Sequence, residues 1–149
     1  MPETLNQLSL GQLLARYRLL PVVTALLGSW RAQFVGPWWL RYSAAPSIAL
    51  SGMPGWYGKR FVDAQAAVNL QRRGKQLQER LPMRCSVQGS WLDGQPCVVL
   101  SYAQDARLPW RWVRDELRQL DEQHCLCLTF VDLPGLRRLG FPFLLVRET

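Results

Sequence analysis

A two-residue turn constrains this chain more than any other feature. Asp93-Gly94 stands between two runs that read as strands, and it supplies the positive-φ pair of a tight hairpin. Upstream, Leu81, Met83, Cys85, Val87 and Trp91 alternate with Arg84, Ser86, Gln88 and Ser90, which places the apolar set, Trp91 included, on a core face. Downstream, Cys97 to Tyr102 returns as a continuous apolar strand, with Pro96 tolerable at its start. A plain helical bundle does not fit this pattern. The eleven Gly and ten Pro argue against it too, because both residues break elements.

Further strands read out around the hairpin. Trp30, Ala32 and Phe34 alternate with Arg31, Gln33 and Val35, and Trp56 to Val62 forms a second strand. Cys125 to Val131 is a third, and Phe141 to Arg147 closes the chain, with Pro142 suggesting an edge or a bulge. Two stretches stay open. Ala64 to Leu70 fits a helical turn or a strand ahead of an exposed turn at Arg72-Arg73-Gly74-Lys75, and Arg111 to Leu120 fits a helix by spacing or a strand by alternation. Residues 36–55 read as a long loop with one helical turn near Trp38 to Tyr42, and 134–140 as a loop with room for one short basic helix.

Ahead of the strands, Leu10, Leu13, Leu14, Tyr17 and Leu20 form a helical stripe with Ser9 as its N-cap. Pro21 kinks this helix or starts a second turn carrying Val23, Leu26 and Leu27, and Gly28 ends it. The expected fold is mainly β: an antiparallel lipocalin-like barrel or strongly curved sheet of six to eight strands, preceded by an N-terminal helical segment. Length predicts a single domain over 1–149, with 1–27 helical and 28–149 in the barrel.

The net charge is +7, from 18 Lys and Arg against 11 Asp and Glu, which suits an anionic partner. No basic run exceeds two residues, and nothing resembles a helix-turn-helix or an RNA-binding signature, so no nucleic acid is expected. Cys85, Cys97, Cys125 and Cys127 show no Cys-x-x-Cys spacing, and Cys125 and Cys127 would face away from His124 across a strand. They read as buried free thiols, with no metal and no cofactor. The apolar run Leu19 to Leu27 is too short to span a bilayer. A cytoplasmic protein is expected, with peripheral membrane contact through the helical segment left open.

Two blocks carry a resemblance. Gly28-Ser29-Trp30, at the junction of helical segment and first strand, resembles the Gly-x-Trp signature of lipocalin-like (calycin) barrels. Trp56-Tyr57-Gly58-Lys59-Arg60-Phe61, together with Leu27-Gly28-Ser29-Trp30, is similar to blocks of the bacterial family named for Gly-X-Trp-X-Gly. The resemblance implies a Trp plugging the closed end of a barrel, with Arg147 across its face, and it places Tyr102, Asp115, Arg118 and Asp132 at family positions on C-terminal strands. It also tilts Arg111 to Leu120 toward a strand. Ala32 and Cys127 depart from the family's glycines. The family carries no established reaction.

Seven Trp exceed what a core this size needs, which suggests a cavity or binding surface. Trp38, Trp39, Trp110 and Trp112 fall at loop positions, where a ligand or membrane would enter. The candidate ligand-binding residues are Trp56, Tyr57, Lys59, Arg60, Tyr102 and Asp115. On a regular strand Trp56, Gly58 and Arg60 face one way, and Tyr57, Lys59 and Phe61 the other. Lys59 would grip an acidic group or act as a base with a pKa lowered by burial, or it would snorkel at the surface. Asp115, if on a strand, shares the apolar face of Val113 and Leu117, where a carboxylate is paired or functional. His124 reads as exposed. These features point to binding of a small apolar or amphipathic molecule, with an anionic lipid-like ligand among the candidates. The alternatives are a cofactor-free isomerase, cyclase or hydrolase in the same cavity, and a peripheral membrane or protein-interaction module.

Overall fold

The computed structural model describes residues 2–148, so the two end residues of the expected domain lie outside it. Helices α1 (Pro2–Asn6) and α2 (Leu10–Arg18) lead into β1 (Gly28–Phe34). Helix α3 (Trp38–Leu50) separates β1 from β2 (Trp56–Phe61). The remaining strands are β3 (Ala66–Arg73), β4 (Gln76–Gly89), β5 (Pro96–Ser101), β6 (Val113–Asp121), β7 (His124–Val131) and β8 (Phe141–Arg147). Each strand pairs antiparallel with the next, and β8 pairs with β1, so eight strands close a barrel. Closure removes both free edges. Pro142 therefore lies on no edge strand. Phe34 with Phe143 is the last β1–β8 pair, so Pro142 has no β1 partner whose hydrogen bond it could lose.

The N-terminal helices lie outside the barrel. Ser9 caps α2: its hydroxyl accepts from the Gln12 N–H at 3.1 Å, while Gln12 Oε1 accepts from the Ser9 N–H at 2.8 Å. The stripe buries Leu13 and Tyr17 against outward-facing Leu126, Leu128 and Leu144 of β7 and β8. The expected helix through Pro21 is absent. The chain after Leu19 runs without helix to Gly28, because Pro21 has no N–H to continue the ladder and Val22, Val23 and Thr24 are β-branched. Val23 and Leu26 instead pack into the base of the barrel.

Three local expectations are resolved. The stretch 113–121 is strand β6, preceded by one 3-10 turn at Trp110–Trp112; pairing with β5 and β7 outweighs its helical spacing. The segment after Asp63 is strand β3, with Gly74 in the turn. The expected long loop over 36–55 holds a thirteen-residue helix, α3, despite Pro46 inside it. Ser47 and Ser51 hydroxyls donate to the carbonyls of Ser43 and Ser47, and buried Leu40 ties the helix to the barrel. Packing, not propensity, makes this helix.

Trp91 corrects the hairpin reading. Met83 and Cys85 face the interior, but Trp91 lies in the β4–β5 turn on the outside, packed on Phe130 between the guanidinium groups of Arg114 and Arg137. Val87, past the base, is exposed.

Candidate functional site

Strand alternation and closure divide the interior into a packed base and a hollow upper half. At the base, Trp30 donates from its indole nitrogen to Leu26 O at 2.7 Å. Arg147 lies 4.3 Å over the Trp30 ring and donates to the carbonyls of Ala25 and Leu27. Phe61, Cys125, Leu117 and Leu145 fill the space around Trp30.

Above this layer sits a cavity of about 440 Å³. Its walls are mainly aromatic and aliphatic, from Phe34, Trp56, Trp110, Val131 and Phe143, and α3 covers the mouth with Trp39, Leu40, Ala44 and Ile48. The polar groups reaching it include Lys59, Asn69, Tyr102, Asp115 and Thr129.

Register explains how these groups converge. Lys59 stands opposite Asn69 across β2 and β3, and Asp115 opposite Thr129 across β6 and β7. Strands β2 and β6 are four apart in an eight-stranded ring, so they form opposite walls. Lys59 and Asp115 bridge the interior with an ion pair of 3.0 Å between Nζ and Oδ2. Lys59 Nζ also donates to Asn69 Oδ1 at 2.8 Å and to Met83 Sδ at 3.2 Å. Thr129 Oγ1 donates to Asp115 Oδ1 at 2.7 Å. Asn69 Nδ2 donates to the Tyr102 hydroxyl at 2.8 Å and to Leu81 O, and Trp56 Nε1 donates to Asn69 Oδ1 at 3.1 Å. The five groups form one connected network in an otherwise apolar space, where each bond is strengthened by the low dielectric.

Lys59 does not carry the lowered pKa that burial alone would give. Burial pulls its ammonium down, but the Asp115 carboxylate, with Tyr102 beside it, more than offsets this and leaves Lys59 above the ordinary lysine value. Lys59 is thus a poor base at neutral pH. Burial pushes the Tyr102 phenol up, so it keeps its proton. Having accepted from Asn69, Tyr102 still has that proton to give.

The sequence candidates divide. Trp56, Lys59, Tyr102 and Asp115 reach the cavity. Tyr57 and Arg60, expected at the ligand, stand on the outer surface: Tyr57 bonds Glu148 beneath Arg72, and Arg60 pairs with Glu79. A register shift between Trp56 and Gly58 separates them. The bulge turns Trp56 inward beside Lys59, where regular alternation would have put it outside. Gly58 is required there, since a Cβ would lie 2.0 Å from Trp30 O. Asn69 and Thr129 were missed. Reading Ala67, Asn69 and Gln71 with period two would have found Asn69.

Outside the barrel, Glu116 and Arg118 are fully buried and paired. Glu116 accepts from Ser90, the Trp91 N–H and Arg114, and Arg118 holds Asp93 through two bonds of 2.8 Å under Tyr17. They fasten the hairpin turn and α2 and do not reach the cavity. His124, half-buried, pairs with Asp121 at 2.7 Å. Among the described residues no group of three His, Cys, Asp or Glu is placed to hold a metal, and no helix is long and apolar enough to cross a membrane.

No family model matches the chain, and no curated protein matches it. The crystal structure of a protein from Thermomonospora curvata is similar, with TM-score 0.66 and 23% identity over 89% of this chain and 83% of that one. The likeness and the strand order together establish the fold as an eight-stranded antiparallel barrel of lipocalin-like architecture.

Proposed function

We propose that the barrel binds one small amphipathic molecule, apolar along its length and ending in an uncharged oxygen-bearing head such as a hydroxyl or carbonyl. One observation carries this reading: a mainly apolar cavity of about 440 Å³, whose α3 serines donate to their own helix, holds a connected polar cluster whose one cation is already neutralised by Asp115. Ligand sites typically combine such apolar walls with a few convergent polar groups. A carboxylate head would have to displace Asp115 or sit beside it unpaired, which is costly away from water. An uncharged oxygen can accept the Tyr102 proton and leave the ion pair intact. We further propose that the chain belongs to the Gly-X-Trp-X-Gly family, a reading supported by the Trp30–Arg147 contact and the bulged Trp56 to Phe61 block.

The test compares a long-chain primary alcohol with the fatty acid of the same length, each displacing a fluorescent hydrophobic dye. Tighter binding of the alcohol, weakened by Tyr102→Phe, is expected. Equal or tighter binding of the acid, or no displacement by either, overturns the reading.

A second reading is cofactor-free acid–base chemistry on the bound molecule. It draws on Asp115 and Tyr102 both lining the cavity. An Asp115→Asn variant that binds normally but ceases to convert its ligand would favour it.

A further inference from the structure

Helix α3 has a second face that the cavity does not use. Leu40, Ala44 and Ile48 face the barrel, while Trp38, Tyr42, Ala45, Pro46 and Leu50 face outward. Trp38 is 67% exposed, Tyr42 74% and Leu50 91%. Arg41 is the helix's sole charged residue. A helix apolar on both faces is ordinarily buried on both. Among the described residues nothing covers the outer face of this one.

The surroundings of α3 are cationic. Antiparallel order puts the connections β1–β2, β3–β4 and β5–β6 at the cavity end. The last two approach α3: Arg72 N donates to Gly55 O at 2.7 Å just past the helix, and a Cβ at Gly52 would stand 3.8 Å from Trp110 Nε1. With Arg73 at the end of β3, these connections carry Arg41, Arg73, Lys75, Arg107 and Arg111 against one acid, Asp105. Exposed Leu108 lies among them. At the opposite end, residues 19–27, 62–65, 90–95 and 122–123 hold Asp63, Asp93 and Glu122, and the strand ends there add Asp121 and one cation, Arg147, which is engaged over Trp30. The remaining cavity-end connection, β7–β8, leans down the flank, where Arg137 stacks on Trp91 and pairs with Asp132.

We infer that the cavity end docks on an anionic lipid surface, with Trp38, Tyr42 and Leu50 inserted at the headgroup boundary and the arginine rim on the lipid phosphates. Exposed aromatics with arginines at the same end of the barrel match both the apolar and the charged layers of such a surface. A second copy fits less well, because a two-fold contact through this face would bring two cationic rims together. The inference is independent of what the cavity binds.

The test is flotation of the full chain with phosphatidylcholine vesicles, with and without about one third phosphatidylglycerol. Trp38→Ser/Tyr42→Ser and Arg107→Glu/Arg111→Glu variants run beside it, each checked for native fold by circular dichroism. Binding to the anionic vesicles alone is expected. It should weaken more than about tenfold in either double variant and in about 1 M salt. Failure to float on anionic vesicles overturns the inference. So does flotation that both variants retain, which would move the contact to another surface such as exposed Leu19 and Leu27. Self-association that Trp38→Ser abolishes, without vesicle binding, would assign the face to a second copy instead.

Discussion

Removing Asp115 tests the interior directly. The Lys59 and Asp115 side chains are 2% and 5% exposed, and among the described residues Asp115 is the one carboxylate the ammonium meets in the barrel interior. Asp115→Ala strands that ammonium, a change that costs about 3–5 kcal/mol at buried pairs. It also leaves the Thr129 hydroxyl without its acceptor, which costs a further ~1 kcal/mol or more. For a chain of this length the sum corresponds to a fall in melting temperature of roughly 13–19 °C. The sign of the pH dependence is a second signature. In the native protein the Lys59 pKa is raised, so its contribution is complete below the ordinary lysine value and fades as pH climbs past the folded one. In Asp115→Ala burial loses its main opponent, the folded pKa is expected to fall below the unfolded one, and stability should then rise with pH between the two. The double variant Lys59→Met/Asp115→Leu removes both charges and should lose less stability than Asp115→Ala alone. Urea denaturation at several pH values measures all three. A loss under about 1 kcal/mol in Asp115→Ala, or a double variant that loses as much stability as Asp115→Ala or more, would refute the buried pair.

Other outcomes follow from the same contacts. Gly58→Ala should fail to fold or lose more than about 3 kcal/mol by denaturant titration, because its Cβ would collide with the β1 backbone at Trp30. Arg147→Ala removes the cation over Trp30 and the bonds to Ala25 and Leu27, and should lower stability by about 1–2 kcal/mol with Trp30 fluorescence altered. The Arg118 guanidinium holds the Asp93 carboxyl below its ordinary value, so this contribution is present at neutral pH and lost as pH falls through the folded pKa; Asp93→Asn should flatten that part of the acid denaturation curve. Burial pushes the thiols of Cys85 to about 11 and of Cys97 and Cys125 to about 12, so a thiol reagent at pH 8 should label none of the four cysteines until denaturant is added.

The barrel was readable because period-two alternation acts locally, as along Cys125 to Val131. Asp93-Gly94 marked the β4–β5 hairpin, but the connection runs over 90–95 and Gly94 alone of the pair takes a positive φ, so the tight two-residue turn is corrected to a longer one. Lys59 and Asp115 stood out as charges among apolar neighbours, but their partnership was not visible: it depends on ring closure, which brings β2 opposite β6. The bulge at Trp56 to Gly58 inverted the face reading of two residues, since one shifted residue moves Trp56 inside and Tyr57 outside; Arg60 is outside by ordinary alternation with Lys59. Helix α3 was hidden by Pro46 and by a face pattern without polar contrast. Only its packing over the barrel mouth makes it a helix. The loop-side tryptophans mark the cavity end of the molecule, where Trp39 and Trp110 line the cavity and Trp38 faces outward.

The central claim is that the space beneath α3 holds a ligand. Native mass spectrometry of the wild-type chain and of Ala44→Trp, both incubated with the long-chain alcohol and purified without detergent, tests it most directly. Ala44 lines the cavity, and an indole there fills space a chain would occupy. The account predicts a one-to-one adduct on the wild type and none on a folded Ala44→Trp. An adduct of equal abundance on both, or on neither, would contradict it.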